Sequence, residues 1–201
     1  MELRIAGVTD DSVVDGDGYR FTIFTQGCPH HCAGCQNPET WDPAGGRTVD
    51  TEDLLRDILA NPLLDGVTFS GGEPFVQSAP LADLARKLRA HNLTVWAYTG
   101  YTLEALVAQR DPDINALLAA LDVLVDGPFL RDQRDLTLRF RGSRNQRVID
   151  LAKTRKATTD LPLGFSRRLS EDSSSVKFYR HFPQSACSRF PVQNYSKEAF
   201  L

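Results

Sequence analysis

The sequence predicts an α/β protein whose mostly parallel sheet forms an open, partial (β/α) barrel. Apolar strand-like runs alternate with amphipathic helical runs along most of the chain, as they do in consecutive βαβ units. We count about five such units, which is too few for a closed eight-fold barrel. Four loops of unusual composition follow predicted strands, and in parallel α/β folds such loops meet at one edge of the sheet.

Length and composition are those of an ordinary globular protein. A chain of 201 residues with 41% hydrophobic and 24% charged residues can bury a good core. The net charge of -3 gives no reason to expect nucleic acid or a membrane surface as a partner. No apolar run is long enough to cross a bilayer, and the N-terminus lacks the apolar stretch of a signal peptide. We therefore expect a reducing, cytoplasmic location.

The first two predicted strands flank a turn-rich loop. Residues 3–8 are expected to form a short strand, which could lie at the edge of the sheet. Residues 21–25 have the alternating β-branched and aromatic side chains typical of a strand. The segment 10–18 between them contains two glycines and is expected to turn. Arg20, which follows this loop, could meet an anionic group or remain solvated.

The later elements alternate in the order that βαβ units require. After a turn over residues 43–47, Asp50 or Thr51 can cap a helix over 52–59 whose apolar residues share one face. Asn92 can cap the end of the second helix. The other predicted elements are strands over 66–70, 93–98 and 123–125, helices beginning near 80, 102 and 114, and a last strand pair, or one irregular strand, over 136–140 and 148–149.

Three of the four cysteines lie in one loop directly after the second predicted strand. Cys28, Cys32 and Cys35 have the spacing C-x3-C-x2-C, and Gly27 and Pro29 end the strand before them. Thiolates this close together bind soft metal centres well. Iron–sulfur clusters are usually held by four cysteines, so three would leave one iron with an open position.

Two other interpretations of these thiols remain open on spacing alone. A disulfide would use two of them, although the loop is tight for good bridge geometry and the expected location is reducing. A zinc site would use all three together with His30 or His31.

The wider sequence around the cysteines resembles a known family. C-x3-C-x2-C on a loop at a strand end is the signature of the radical S-adenosylmethionine (SAM) enzymes. Residues 15–20 and 27–42 together resemble the activating proteins of glycyl radical enzymes, above all those of the anaerobic ribonucleotide reductase. The likeness covers about residues 1–155. Asp17 departs from it, where the family usually has proline, and so does Gly34, where many radical SAM enzymes have an aromatic residue.

The resemblance implies two cofactors and the residues that hold them. Cys28, Cys32 and Cys35 would ligate three irons of a [4Fe–4S] cluster, and the fourth iron would take the amino and carboxylate groups of SAM. The segment Gly71–Pro74 would bind the methionyl amino group, since glycines allow close approach and a carboxylate pairs well with ammonium. Gly34 and Gln36 would pack near the adenine through backbone contacts. The full set of residues expected to contact SAM is Gly34, Gln36, Gly71, Gly72, Glu73 and Asp126.

Several of these assignments have simpler alternatives. The segment Gly71–Pro74 could be a plain turn between a strand and a helix, and Asp126 could cap a turn. The resemblance places the loop 10–18 near the mouth of the cluster site. His30 and His31 are expected to be exposed loop residues. A run of four arginines could be a solvated face, steady the carboxylate of SAM or dock an acidic partner: Arg139, Arg141, Arg144 and Arg147.

The resemblance also implies a function. A 5′-deoxyadenosyl radical made from SAM would take a hydrogen atom from a glycine of the large subunit of the anaerobic ribonucleotide reductase, with a flavodoxin-type protein as reductant. Alternatives within the class are an activating enzyme of another glycyl radical enzyme, such as pyruvate formate-lyase, and a radical SAM enzyme acting on a small molecule, for example in deazapurine synthesis. Outside it are a zinc-binding interaction module and an iron–sulfur electron carrier, neither of which cleaves SAM.

A change in composition near residue 155 predicts a domain boundary. Residues 156–201 carry 7 Lys+Arg against 4 Asp+Glu, whereas residues 1–155 carry 16 against 22. The later segment also contains Ser173–Ser175 and shows no clear periodicity. We expect a radical SAM domain over 1–155 and a poorly ordered tail over 156–201. Cys187 lies alone in that tail and is not assigned to a cluster.

Overall fold

The computed structural model describes residues 1–154, in which seven strands form one sheet and four α-helices accompany it. The strands are β1 (Glu2–Ser12), β2 (Arg20–Thr25), β3 (Arg47–Asp50), β4 (Gly66–Gly71), β5 (Thr94–Tyr98), β6 (Val123–Asp126) and β7 (Arg147–Asp150). The helices are α1 (Thr51–Leu59), α2 (Ser78–Ala90), α3 (Leu103–Ala108) and α4 (Pro112–Ala120). The predicted tail, with Cys187, lies outside the described residues.

The sheet has the order β3-β1-β2-β4-β5-β6-β7 and is parallel at its centre. Strands β2, β4, β5 and β6 pair parallel to one another, while β1, β3 and β7 join antiparallel at the two sides. The sheet stays open because β3 and β7 are its two edges. This confirms the predicted open α/β fold with a mostly parallel sheet.

Two expectations about strands near the edges of the sheet were wrong. β1 is not an edge strand, because β3 begins inside the segment predicted as a turn and pairs with the first residues of β1. β3 was missed because most of its side chains are exposed, so it lacks an apolar alternation. Residues 136–140 form no strand; Leu136 is exposed, and Phe140 has a φ of 59° and packs its ring against Trp96.

The helix ends follow the predicted capping residues. The side chain of Asp50 accepts a hydrogen bond from the backbone N–H of Glu52 at the start of α1, and Thr102 caps α3 in the same way. Asn92 has a φ of 63° and follows α2 in the left-handed conformation that ends many helices. No helix within residues 1–154 has the length and apolarity needed to cross a membrane.

The two faces of the sheet carry different cores. The larger core lies between the sheet and the helices and includes Val95 and Ala97 of β5. The alternate residue Trp96 packs on the other face with Val123 and Val125, where Tyr98, Phe140 and Val148 complete a smaller cluster. In the part of the chain that the structure describes, the helices pack into the larger core, and the smaller cluster on the other face contains no helix residue. That face also carries polar groups.

Arg20 is fully buried on this second face, at the amino ends of the parallel strands. Its Nε donates to the Thr68 hydroxyl over 2.7 Å, and its terminal nitrogens donate to the carbonyls of Asp17, Val67 and Thr94 and to the Thr94 hydroxyl. Burial lowers the pKa of Arg20 to about 10, so the side chain remains charged at neutral pH. The solvated alternative for Arg20 was therefore wrong, and its partners are neutral.

The predicted turn over residues 10–18 is shorter in the structure, because residues 10–12 belong to β1, and its last residues lie at this amino end. The carbonyl of Asp17 accepts from Arg20, and the Asp65 carboxylate just before β4 accepts from the backbone N–H of Tyr19. The cysteines follow β2 at the opposite end of the same strand. The end of this loop therefore lies at the edge of the sheet opposite the cysteines, whereas Asp15 reaches along β2 and accepts from the Thr22 hydroxyl over 3.1 Å. The expectation that the loop lies near the cluster mouth stays a prediction.

We predict that Arg20→Ala lowers the free energy of unfolding of the apoprotein by about 3 kcal/mol, because it leaves buried acceptors without donors and opens a cavity. Urea denaturation followed by circular dichroism measures this change. Arg47→Ala, at an exposed position of β3, is the matched control and should change stability by no more than about 0.5 kcal/mol. Equal losses from the two variants would contradict the proposed importance of the buried guanidinium.

Candidate functional site

Four loops meet at the carboxyl edge of the parallel strands, as the alternating pattern predicted. The cysteine loop, residues 27–37, follows β2, and the glycine loop, Gly71–Pro74, overlaps the end of β4. The backbone N–H of Glu73 donates to the Gly27 carbonyl over 2.8 Å, which joins these two loops. The loops after β5 and β6 are joined by the N–H of Gly127, which donates to the Tyr101 carbonyl over 2.8 Å.

The three predicted ligands are free thiols, each partly exposed. The loop turns so that the N–H of Cys35 donates to the Cys32 carbonyl over 3.0 Å, while the N–H of Cys28 is held by the Trp41 carbonyl. Burial raises the pKa of the Cys28 thiol, with further contributions from Glu73 and Cys32, so iron must displace a proton there. A set of three accessible sulfurs on one short loop fits a cluster that takes one iron per cysteine.

The structure weakens both alternatives for the thiols. They form no disulfide with one another. A zinc site would need His30 or His31 as fourth ligand, but the Nε2 of His30 lies 2.7 Å from Glu73 Oε2. Within residues 1–154, no three side chains of His, Cys, Asp or Glu converge closely enough to hold a single ion. A cluster does not need that convergence, because each thiolate binds a different iron.

His30 is where the sequence-based expectation fails. Its side chain is only 17% exposed, whereas His31 is exposed as expected. The His30 ring lies edge-on to the ring of Tyr101, with centroids 4.5 Å apart. No local signal in the sequence separates these two neighbouring histidines, since the difference depends on residues that lie 43 and 71 positions away along the chain.

Glu73 lies at the centre of the site and is fully buried. Its Oε1 accepts from the backbone N–H of Phe75 and the hydroxyl of Thr99, and its Oε2 accepts from the N–H of Gly100 and from His30. The carboxylate therefore ties the cysteine loop, the glycine loop and the loop after β5 together. Its contact with SAM stays a prediction, and the structure gives it this additional role.

The two glycines before Glu73 are required by close packing. Gly71 has a φ of 88°, and a Cβ there would lie 2.6 Å from the Cα of Phe24. A Cβ on Gly72 would lie 2.5 Å from the Gly27 carbonyl oxygen. The glycine loop is thus more than a plain turn, because it lets β4 approach the cysteine loop backbone to backbone. Whether these glycines also contact SAM stays a prediction.

Gly34 and Gln36 are exposed residues of the cysteine loop, and their contact with SAM stays a prediction. Gly34 has a φ of 78°, and its position faces the side chain of Arg131. Residues 128–132 and the cysteine loop together line a cleft of about 800 Å³. Sequence reasoning did not include this segment, because only the turn residues Gly127 and Pro128 mark it.

Asp126 is fully buried in an ion-pair cluster. Its carboxylate accepts from the backbone N–H of Leu103 over 2.8 Å and from the guanidinium of Arg147. Arg147 also forms two hydrogen bonds with Glu104, of 3.0 and 2.7 Å, and these carboxylates raise its pKa. Asp126 thus caps the start of α3, and its contact with SAM stays a prediction.

The four arginines near the end of the described chain do not form one face. Arg139 lies 3.9 Å from Asp17 and stacks over Phe140, while Arg144 pairs with Asp135 over 3.1 Å. Arg147 belongs to the buried cluster with Asp126 described above. Arg141 donates to the Gln146 carbonyl over 2.6 Å. Arg147 thus has a structural role, and contact of the other three with SAM or with an acidic partner stays a prediction.

Comparison with known proteins adds a family to this geometry. Residues 14–149 match the model of the 4Fe-4S single cluster domain. The anaerobic ribonucleoside-triphosphate reductase-activating protein of Vibrio cholerae is 37% identical over 67% of this chain and 89% of its own length. The pyruvate formate-lyase 1-activating enzyme of Escherichia coli is 33% identical over 75% of this chain and 61% of its own length.

Among solved structures, QueE from Escherichia coli aligns with 51% of this chain and 54% of its own, with 24% sequence identity and a TM-score of 0.39. That likeness is too slight to support a conclusion. The family model and the sequence relatives are sufficient, since the model match over residues 14–149 includes the cysteine loop and the glycine loop, and the Vibrio cholerae relative is 37% identical over 142 residues. The chain belongs to the radical SAM family, among the activating proteins of glycyl radical enzymes.

Proposed function

We propose that this protein is the SAM-dependent activating enzyme that generates a glycyl radical on the large subunit of an anaerobic ribonucleotide reductase. The observation that carries the proposal is the placement of three free thiols beside the glycine loop, at the edge where parallel α/β folds bind ligands. The identity to reductase-activating proteins over 89% of their length supports the choice of target.

Cys28, Cys32 and Cys35 would hold the [4Fe–4S] cluster, and the glycine loop would hold the methionine part of SAM. When bound, the two groups supply one-electron cleavage of a carbon–sulfur bond of SAM, which gives a carbon radical able to remove hydrogen from glycine. The residues of this chain bind and orient both groups. The backbone contacts between the two loops fix the glycine loop next to the cysteines, so the two groups would be held side by side.

The open side of the site suits a protein substrate. The sheet does not close into a barrel, and the cleft between the cysteine loop and residues 128–132 reaches the surface beside Cys32. A glycine held in a loop of a partner protein would have to come next to the site where the radical forms. A flavodoxin-type protein would supply the electron, and the free thiols are consistent with work in a reducing cytoplasm.

A second candidate is activation of a pyruvate formate-lyase. The 33% identity to such an activating enzyme over 75% of this chain favours it over a small-molecule substrate. This chain covers only 61% of that relative, against 89% of the reductase-activating protein. The reductase is therefore the better match in length as well as in identity. The zinc module and the electron carrier do not agree with the family.

The first prediction concerns the metal. Anaerobically reconstituted protein should hold about four irons per chain, with broad visible absorption from thiolate-to-iron charge transfer. Alanine at any one of Cys28, Cys32 or Cys35 should abolish both, because each thiolate holds its own iron. Cys187→Ala is the matched control and should leave both unchanged. Stoichiometric zinc without iron in protein purified under anaerobic conditions would refute the cluster assignment.

The second prediction concerns SAM. Glu73→Gln should weaken SAM binding about tenfold, because the methionyl ammonium loses the charge of a nearby carboxylate. Iron content should stay normal, since the three thiols are unchanged. Equilibrium dialysis on the reconstituted protein measures the affinity. Glu39→Gln, an exposed position close to the cysteine loop, is the control and should bind SAM as the parent protein does.

The third prediction concerns the target. With SAM and reduced flavodoxin or dithionite, the protein should produce a glycine-centred radical on the anaerobic reductase, visible as a doublet by electron paramagnetic resonance. One 5′-deoxyadenosine should form per radical. Truncation after Arg155 should preserve the cluster and SAM cleavage, because every proposed ligand lies upstream. No radical on the reductase, together with a radical on a pyruvate formate-lyase, would favour the second candidate.

A further inference from the structure

The middle of the cysteine loop depends on a side chain for its attachment. The two ends of the loop are held by the backbone: the N–H groups of Gly27 and Cys28 donate to the carbonyls of Thr40 and Trp41. The turn between Cys32 and Cys35 is closed by a hydrogen bond within itself, from the N–H of Cys35 to the Cys32 carbonyl. His30, between Cys28 and Cys32, reaches out of the loop and contacts two other strand ends.

His30 occupies a socket built by three residues from those strand ends. Its Nε2 lies 2.7 Å from Glu73 Oε2, and Tyr101 meets its ring edge-on. The third wall is the bare backbone of Gly100, where a Cβ would lie 2.6 Å from Nε2. Gly100 has no positive φ, so its backbone conformation does not require glycine. Glycine is required at position 100 because any side chain there would overlap the His30 ring.

The hydrogen bond has a defined direction. An ionised carboxylate only accepts hydrogen bonds, so the Nε2 of His30 carries the hydrogen and donates it to Glu73. Glu73 is fully buried, and its remaining contacts come from Phe75, Thr99 and Gly100. Those contacts fix the carboxylate to the glycine loop and the loop after β5. Through His30, the middle of the cysteine loop is therefore fixed in position relative to the glycine loop.

We propose that His30 is a positioning residue. Its hydrogen bond to Glu73 attaches the cysteine loop to the glycine loop and so sets the position of the cluster relative to SAM. The inference rests on the proposed function, because it concerns how the two groups are oriented. His31 provides the contrast within the same loop. It is exposed, its Nδ1 contacts the Pro29 carbonyl of its own loop, and its ring lies against Trp41.

The test compares His30→Phe, which keeps a ring and loses the donor, with His30→Gln, which keeps a donor. In the apoprotein, hydrogen exchange measured by mass spectrometry should be faster over residues 27–37 in His30→Phe than in the parent. After reconstitution, His30→Phe should retain its iron, bind SAM about tenfold more weakly and show a smaller SAM-induced change in the paramagnetic resonance spectrum of the reduced cluster. His30→Gln should show hydrogen exchange, SAM affinity and a SAM-induced spectral change close to those of the parent.

Two further variants keep the test decisive. Gly100→Ala leaves His30 in place chemically but fills its socket, and should weaken SAM binding as His30→Phe does. His31→Phe is the matched control and should behave as the parent. If His30→Phe and Gly100→Ala bind SAM with the parent's affinity and the parent's spectral change, the positioning role of His30 is refuted. Failure of the parent itself to hold iron or SAM would instead refute the proposed function, which distinguishes the two failures.

Discussion

The buried carboxylate of Glu73 is the interaction on which the site depends. A carboxylate without exposure must be fully hydrogen-bonded, because an unpaired buried charge costs far more than a hydrogen bond returns. Here the donors come from three different loops: His30, Phe75, and the Thr99–Gly100 pair. Satisfying one side chain therefore forces three strand ends into a single arrangement. The cysteine loop takes its position from that requirement as well as from its own backbone contacts.

A second buried charge organises the opposite end of the sheet. Within residues 1–154 no carboxylate lies within hydrogen-bond distance of Arg20, yet its guanidinium is satisfied by carbonyls and hydroxyls of β4, β5 and the loop before β2. Its face also stacks on Trp96, with 5.3 Å from Cζ to the ring centroid.

At the edge strand β7, one ion-pair cluster stabilises the fold beside the cysteine-containing site. Arg147 at the start of β7 joins Asp126 at the end of β6 to Glu104 of α3. These contacts hold the antiparallel last strand in register beside the carboxyl edge. Asp126 therefore has a structural function that is sufficient to explain its burial. Its neighbour Gly127 then leads the chain into residues 128–132, which form one wall of the cleft beside Cys32.

The sequence by itself determined the fold class, most elements of the parallel centre, the helix-ending residue Asn92, the choice of Asp50 or Thr51 as the cap of α1, and the loop that carries the three thiols. These depend on local signals, namely strand periodicity, capping chemistry and cysteine spacing, which a short window of residues contains in full. Tertiary structure decided the rest, including the edge strand β3 and the burial of Arg20. It also separated His30 from His31, because only His30 meets Glu73, Gly100 and Tyr101 across the sheet. Those partners are distant along the chain, and no local pattern could assign them.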